Sequence, residues 1–326
     1  MSRFGWAGIG VALLAVAGCG QSGTGEAGDG AGPQLRDILI VGERVFPESL
    51  DADAAGNIYI GSNAGTIYRA EAGSDRAEAW ITPSAENGLL SLFGVLADDA
   101  RGVLWVCSNP NLFVPPEPGG PAISSLRAFD LGSGDLSASH DFPAGPAACN
   151  DIAVASDGTV YVTETMDGRI FRLAPDGEGL ELFAAGEDLV GVDGIAFADD
   201  GTIYINNVRQ NLVQRVEVEA DGAYAGLTTL ALSAEVDGPD GLRPLGGNRF
   251  LQSEGPAGRV ALIDIAGDSA TVTPVKTGLD GAPAVTSVGR VGYALEGKIQ
   301  YLIDPEFADQ QPGQFFIRAF EIPEGP

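Results

Sequence analysis

Asn150-Asp-Ile-Ala-Val-Ala-Ser-Asp-Gly-Thr-Val-Tyr161 and Asp193-Gly-Ile-Ala-Phe-Ala-Asp-Asp-Gly-Thr-Ile-Tyr204 are two copies of one pattern. Each begins with an oxygen-bearing side chain, passes through an alternating apolar stretch, turns at Asp-Gly and ends on an aromatic residue. Alternation with a period of two marks a half-buried strand, and Asp-Gly is a tight-turn signal between two such strands. Another strand follows after a short turn, as in Gly168-Arg-Ile-Phe-Arg-Leu173. The unit is therefore an antiparallel meander and not a helical repeat.

Outward from these copies, the aromatic recurs at Tyr59, Trp105, Tyr161, Tyr204, Phe250 and Tyr293. Gly precedes the first five by three residues, at Gly56, Gly102, Gly158, Gly201 and Gly247, and shifts in the sixth copy, Arg290-Val-Gly-Tyr293. A repeat of about 45 residues built from short strands is the size of a four-stranded propeller blade. The expected fold is all-β, a six-bladed β-propeller of four-stranded antiparallel blades over residues 35–326. The ring needs closing, because an open terminal blade exposes strand edges. Leu35–Val41 is the favoured outer strand of the sixth blade, with Ile317–Ile322 competing for that place.

Composition removes several functions. The chain has 326 residues, with 18 Lys and Arg against 45 Asp and Glu, a net charge of −27. A hydrophobic content of 44% is too high for a disordered acidic protein. The acidic excess excludes a sequence-independent nucleic-acid binder, which must neutralise phosphates. It favours cations and neutral small molecules instead.

Residues 1–18 carry Arg3 and then an apolar run from Phe4 to Ala17, too short to span a bilayer and of secretory type. Val16-Ala17-Gly18-Cys19 resembles the bacterial lipoprotein cleavage box, which implies cleavage before Cys19 and lipidation of its thiol. Residues 19–34 are rich in Gly and read as a flexible tether. The expected location is outside the cytoplasm, lipid-anchored to a bacterial membrane and facing the periplasm or cell exterior. Cys107 and Cys149 remain, either as a disulfide or as two buried, inert thiols.

Eleven residues before the aromatics stand Glu48, Gly94, Asn150 and Asp193, then Pro239 with Asp240 one residue out of register, and Ala282. Inner propeller strands start on one face and converge on the axis, so Glu48, Asn150, Asp193 and Asp240 are expected to meet there. Asp and Asn also open strands for turn reasons alone. Four in nearly one register, however, crowd negative charge that a cation relieves. Oxygen donors without His or Cys suit one divalent cation, Ca²⁺ first, with Mg²⁺, Mn²⁺ or Zn²⁺ as alternatives.

The motifs Pro47-Glu48-Ser-Leu-Asp51, Asn150-Asp151-Ile-Ala-Val154, Asp193-Gly194-Ile-Ala-Phe197 and Pro239-Asp240-Gly241-Leu242 resemble those of the SMP-30/gluconolactonase/LRE-like six-bladed propellers. These are relatives of paraoxonases and strictosidine synthase-like proteins. The resemblance implies a catalytic divalent cation held by Glu48, Asn150, Asp193 and Asp240, with Asp240 also the general base, in a hydrolase of lactone-type esters. Asp193 departs from the family pattern, which usually has Asn before that Gly.

Residues three or four past each aromatic are Asn63, Asn109, Glu164, Asn207, Glu254 and Glu296, a polar set expected to rim the pocket and contact a polar or sugar-like lactone or ester. The Pro-rich stretch Asn109–Ser125 lengthens the second repeat and reads as a lid or wall, or else as a surface excursion. His140 is the sole His, which excludes a His pair, and no Gly-x-Ser-x-Gly elbow is present. Chemistry therefore falls to the metal and its carboxylates. The competing reading is a non-catalytic, exported propeller that binds a ligand or acts as a scaffold around a structural cation.

Overall fold

The computed structural model describes residues 34–113, 123–143, 147–307 and 309–325. The expected signal peptide, the tether as far as residue 33 with Cys19, and residues 114–122 of the insertion lie outside the described residues. The unit from Pro33 to Pro326 is nearly all-β. Among the described residues its helical content is one short helix, Gln300–Ile303, and two 3₁₀ turns.

Strands pair with their sequence neighbours in antiparallel meanders. Cys149–Val154, Val160–Glu164, Arg169–Leu173 and Glu181–Ala185 form one sheet, and Val192–Phe197, Ile203–Asn207, Leu212–Val218 and Tyr224–Thr229 form the next. Ser91–Asp98, Val103–Asn109, Ser125–Asp130 and Leu136–Asp141 make another. The sheet that begins at Pro239–Gly246 gains a fifth, short strand, Ala231–Leu232, parallel to Ser269–Lys276.

The remaining eight strands form a single sheet, in which the meander from Pro47–Ala52 meets the meander from Val285–Val288 edge to edge. Strand Ile38–Ile40 makes the joint. It runs antiparallel to Phe315–Glu321, with Ile38 opposite Ile317, and parallel to Arg76–Ile81, with Leu39 opposite Arg76. The N-terminal strand is thus outermost in the last meander and the C-terminal strand lies just inside it. Both segments that competed for the closing place take part, and the edge each would expose is covered.

Each recurring aromatic lies on the second strand of its meander. The Asp-Gly corners before Tyr161 and Tyr204 need Gly, with φ of 96° at Gly158 and 86° at Gly201. Apolar side chains pack between neighbouring sheets, as where Trp105 and Leu126 meet Ile152, Val162 and Phe171. Each such burial contributes about 1.5–3 kcal/mol. Cys107 and Cys149 form a disulfide, with Cα atoms 5.3 Å apart, joining the second strand of one meander to the inner strand of the next.

Candidate functional site

Five inner strands break register at their start, between Pro47 and Ser49, Leu92 and Val95, Cys149 and Ile152, Val192 and Ile195, and Pro239 and Leu242. A bulge re-aims side chains that strict alternation would send elsewhere. The residues inside these bulges include Glu48, Asn150, Asp193 and Asp240. Asp240 occupies the same bulge place as Asn150 and Asp193. The one-residue offset arises on the second strand, where Leu251, opposite Arg243, fills the place that Tyr161 and Tyr204 hold and Phe250 lies one residue ahead of it. In the second meander the counterpart is Phe93, not Gly94. Gly94 and Gly194 are required by close approach, since a Cβ at Gly94 would overlap the carbonyl oxygen of Asn150, and one at Gly194 that of Asp240.

The structure brings the four expected ligands together. Asn150 Nδ2 donates to Asp193 Oδ2 at 2.9 Å and to Thr165 Oγ1 at 2.8 Å. Asp240 is near enough to Asp193 for each carboxyl to alter the titration of the other. Glu48 and Asp240 are half-buried and line one cavity of about 610 Å³. Burial, with the charge of Asp151, pushes Asp193 up to about 7. Burial and then Asp193 hold Glu48 well above the usual carboxylate range, and burial followed by Asp193 and Glu48 does the same to Asp240.

Two observations test this set against a cation. Asp193 Oδ1 is buried with no hydrogen-bond partner, and the residue is only 5% exposed. Both amide hydrogens of Asn150 are committed, so Oδ1 is the atom it offers. Carboxyls that resist ionising together, beside an orphaned oxygen, fit a hard divalent cation. Among the described residues, however, no three His, Cys, Asp or Glu side chains stand as a ready-made metal cage. The donors are two abutting carboxyls, a third carboxyl lining the same cavity, and an amide.

Sequence reasoning missed Arg243. From the inner strand Pro239–Gly246 its Nη1 donates to Asp151 Oδ1 and Oδ2 at 3.0 and 2.9 Å, and its Nη2 to the Val95 carbonyl at 3.3 Å. Its Nε lies 3.8 Å from Asp51 Oδ1. One side chain thus reaches three other inner strands. Burial pulls the guanidinium pKa down, but Asp151 and Asp51 more than offset this and raise it. Arg243 also lowers Glu48, acting against burial and the neighbouring carboxyls. Together with Asp51 it lines a second cavity, of about 490 Å³. The Arg243 signal in sequence is weak, a single Arg three residues past Asp240 on the same inner strand.

The six expected rim residues are placed elsewhere than the sequence reading put them. None lines the cavity that holds Glu48 and Asp240. Most of their polar atoms are engaged within the scaffold, several of them just ahead of the ligand positions, while Glu254 Oε1 is buried without a hydrogen-bond partner. Asn63 donates to the Phe46 carbonyl, and Asn109 both donates to Cys149 O and accepts from Cys149 N. Glu164 accepts from Ala148 N and pairs with Arg169 at 2.9 Å, and Glu254 accepts from Asp237 N and pairs with Arg259 at 2.7 Å. Asn207 donates to Val190 O, and Glu296 pairs with Arg318. Residues nearer the aromatic add to this, with Thr163 Oγ1 donating to Asp193 O at 2.7 Å and Asn206 Nδ2 to Asp240 O at 2.6 Å. His140 lies on the outer strand Leu136–Asp141, away from the cavity lining.

Two long connections wall the cavity. Phe113, from the described start of the insertion, lines it and stacks on Phe93 with ring centroids 5.9 Å apart. Opposite in sequence, the excursion between Val291–Leu295 and Phe315–Glu321 contributes Ile299, Gln300 and Ile303.

Comparison with known proteins bears on the fold. A family model described as strictosidine synthase-like, N-terminal, matches residues 35–70. No curated protein sequence matches. Among solved structures, the major Malassezia sympodialis allergen Mala s 1 is 15% identical, covers 89% of this chain and 97% of its own, and superposes with a TM-score of 0.66. A luciferin-regenerating enzyme is 11% identical, covering 90% of this chain and 98% of its own at a TM-score of 0.61. A putative gluconolactonase is 16% identical, covering 91% and 95% at 0.60. At these identities the likeness shows the fold alone, and that fold is a β-propeller.

Proposed function

We propose that this chain is a six-bladed propeller, the eight-stranded sheet counting as two blades, and a divalent-metal-dependent hydrolase of lactone-type esters. The observation that carries the reading is the meeting of Glu48, Asn150, Asp193 and Asp240 on strand-start bulges, with the Asp193 Oδ1 buried and unpartnered. The motif resemblance and the likeness to a putative gluconolactonase support it.

Glu48, Asn150, Asp193 and Asp240 would hold the cation, Ca²⁺ by preference. When bound, it supplies positive charge where the ester carbonyl oxygen gains electrons. Asp240, open to the cavity, takes a proton from the attacking water. The water oxygen bonds to the carbonyl carbon, the ring C–O bond breaks, and the proton passes to the leaving alkoxide, giving a hydroxy acid. Asn150 and Thr165 hold Asp193 and Asn150 in orientation, and the backbone pins from Thr163 and Asn206 fix the carbonyls of Asp193 and Asp240. Hydrolysis of a lactone panel before and after chelation tests this reading. Loss of turnover on chelation and its return with Ca²⁺ is the expected result.

We also propose export and lipid anchoring through Cys19, a reading supported by the Cys107–Cys149 disulfide, since such bonds persist in oxidising compartments. The protein should partition into detergent, and Cys19→Ala should release it or leave it uncleaved. A second reading, a non-catalytic propeller, is favoured by the lack of a ready-made cage among the described residues and by Asp193 standing where the resembling family has Asn. A full lactone panel with no turnover would select it.

A further inference from the structure

The cavity above Glu48 and Asp240 has polar lining that the protein itself partly engages. Asp280 Oδ1 accepts from Gln300 Nε2 at 2.6 Å, and its Oδ2 lies 3.9 Å from Lys298 Nζ. Lys298 Nζ in turn donates to the carbonyls of Pro312 and Gln314, both at 2.8 Å. Among the described residues, the wall side chains Glu48 and Asp240 accept no hydrogen bond from a protein donor, whereas Asp280, Lys298 and Gln300 are partly engaged with one another and with the backbone. A ligand rich in hydroxyls would find few partners here, and each hydroxyl desolvated without one costs affinity.

What remains of the wall is apolar. Phe113, Pro256, Leu279, Pro283, Ile299 and Ile303 line the same space. This surface is built and not incidental. Tyr301 and Leu302 pack into the core beneath the excursion, and Tyr301 meets Phe307 edge-to-face with ring centroids 5.1 Å apart, which holds the intervening turn in place. Ile303 lines the cavity and is left 55% exposed. A lone exposed apolar residue needs no explanation, but Ile303 completes an apolar wall above two half-buried carboxyls, the make-up of a pocket for a partly apolar ligand. A volume of about 610 Å³ holds more than a bare lactone ring.

We propose that the site takes a lactone or ester bearing an apolar alkyl or aryl arm, with the ester head at Glu48 and Asp240 and the arm between Phe113 and Ile303. This deepens the hydrolase reading and rests on it for the ester. The arm specificity is a separate claim. It departs from the sugar-like ligand expected from the polar residues past each aromatic, none of which lines this cavity.

The test uses the full chain in detergent with Ca²⁺. Substrates are gluconolactone, γ-butyrolactone, γ-hexalactone, γ-octalactone and γ-decalactone. Hexylcyclopentanone, which has no ester bond, serves as a binding probe read by thermal shift and calorimetry. The expected result is a rise in kcat/KM of about fourfold for each added methylene until the arm leaves the cavity. The ketone should bind in the same range as γ-decalactone, and Ile303→Asp should flatten the arm dependence while the fold, judged by melting, is kept. Binding of the ketone with no lactone turned over supports the arm site and overturns the hydrolase reading. Turnover of gluconolactone equal to or above that of γ-decalactone, with no ketone binding, overturns the arm site and keeps the hydrolase.

Discussion

Arg243 Nη1 contacts both carboxylate oxygens of Asp151, a residue 92 positions earlier, at 3.0 and 2.9 Å. Both residues are buried, at 5% and 4% exposure, so the pair is shielded from the screening that weakens surface ion pairs. Removing one partner of such a pair leaves an uncompensated buried charge. Arg243→Met should therefore lower stability by about 3–5 kcal/mol, and Asp151→Asn in the same background should recover part of it. Denaturant titration of the single and double variants measures the coupling, and additive losses would show that the pair is not energetically joined.

The bulges depend on close backbone approach. A methyl at Gly94 meets the Asn150 carbonyl and one at Gly194 the Asp240 carbonyl, and neither backbone atom can yield as a flexible side chain would. Gly94→Ala and Gly194→Ala should each cost about 1–3 kcal/mol through overpacking, and should weaken Ca²⁺ binding because the shifted carbonyl belongs to a ligand residue. Gly201→Ala, at a turn with open space around it, serves as comparison. It should cost stability through its positive φ while leaving Ca²⁺ affinity unchanged.

Without a cation, pH acts on the carboxyl cluster in a defined direction. Asp193 is raised to about 7, chiefly by burial, so the folded chain holds a proton there that the unfolded chain has released. Stability from this group is complete below the ordinary Asp range and is lost as pH climbs from about 4 to 7. Glu48 and Asp240 shift in the same direction. Melting of the chelated protein should fall over that interval, and Ca²⁺ at neutral pH should reverse the fall. A cation-free melting temperature that rises from acid to neutral pH would refute the assignment.

The disulfide closes a loop with a separation of 42 residues and sits beside Asn150. Cys107→Ser with Cys149→Ser should cost about 2–4 kcal/mol. Melting in the presence and absence of reductant measures it. Reductant should lower the wild-type value and leave the double variant unmoved.

The fold was legible because the strand alternation, the Asp-Gly corners and the recurring aromatic state the same period. Tyr161 and Tyr204 fix the second strand, and counting back from them lands on Asn150 and Asp193. The same count slips at Asp240 because Phe250 sits one residue ahead of the place, filled by Leu251, that Tyr161 and Tyr204 occupy, and pairing between strands is what reveals it. Polarity alone misplaced Glu164, Glu254 and their counterparts. A fully buried glutamate paired with an Arg five residues away reads in sequence like a solvated turn. Arg243 and the excursion carrying Ile303 were out of reach for another reason. Their roles come from contacts across the ring, and no local spacing encodes those.

The most direct test of the account is turnover of Asp240→Asn against wild type at matched Ca²⁺ occupancy, on the best-hydrolysed lactone. Asn keeps an oxygen donor but cannot accept the proton of water. The account predicts a cation still bound and turnover lowered by about 10²–10⁴-fold, the range for loss of a general base. Near wild-type turnover in Asp240→Asn, or wild-type hydrolysis that persists after complete removal of the cation, would contradict it.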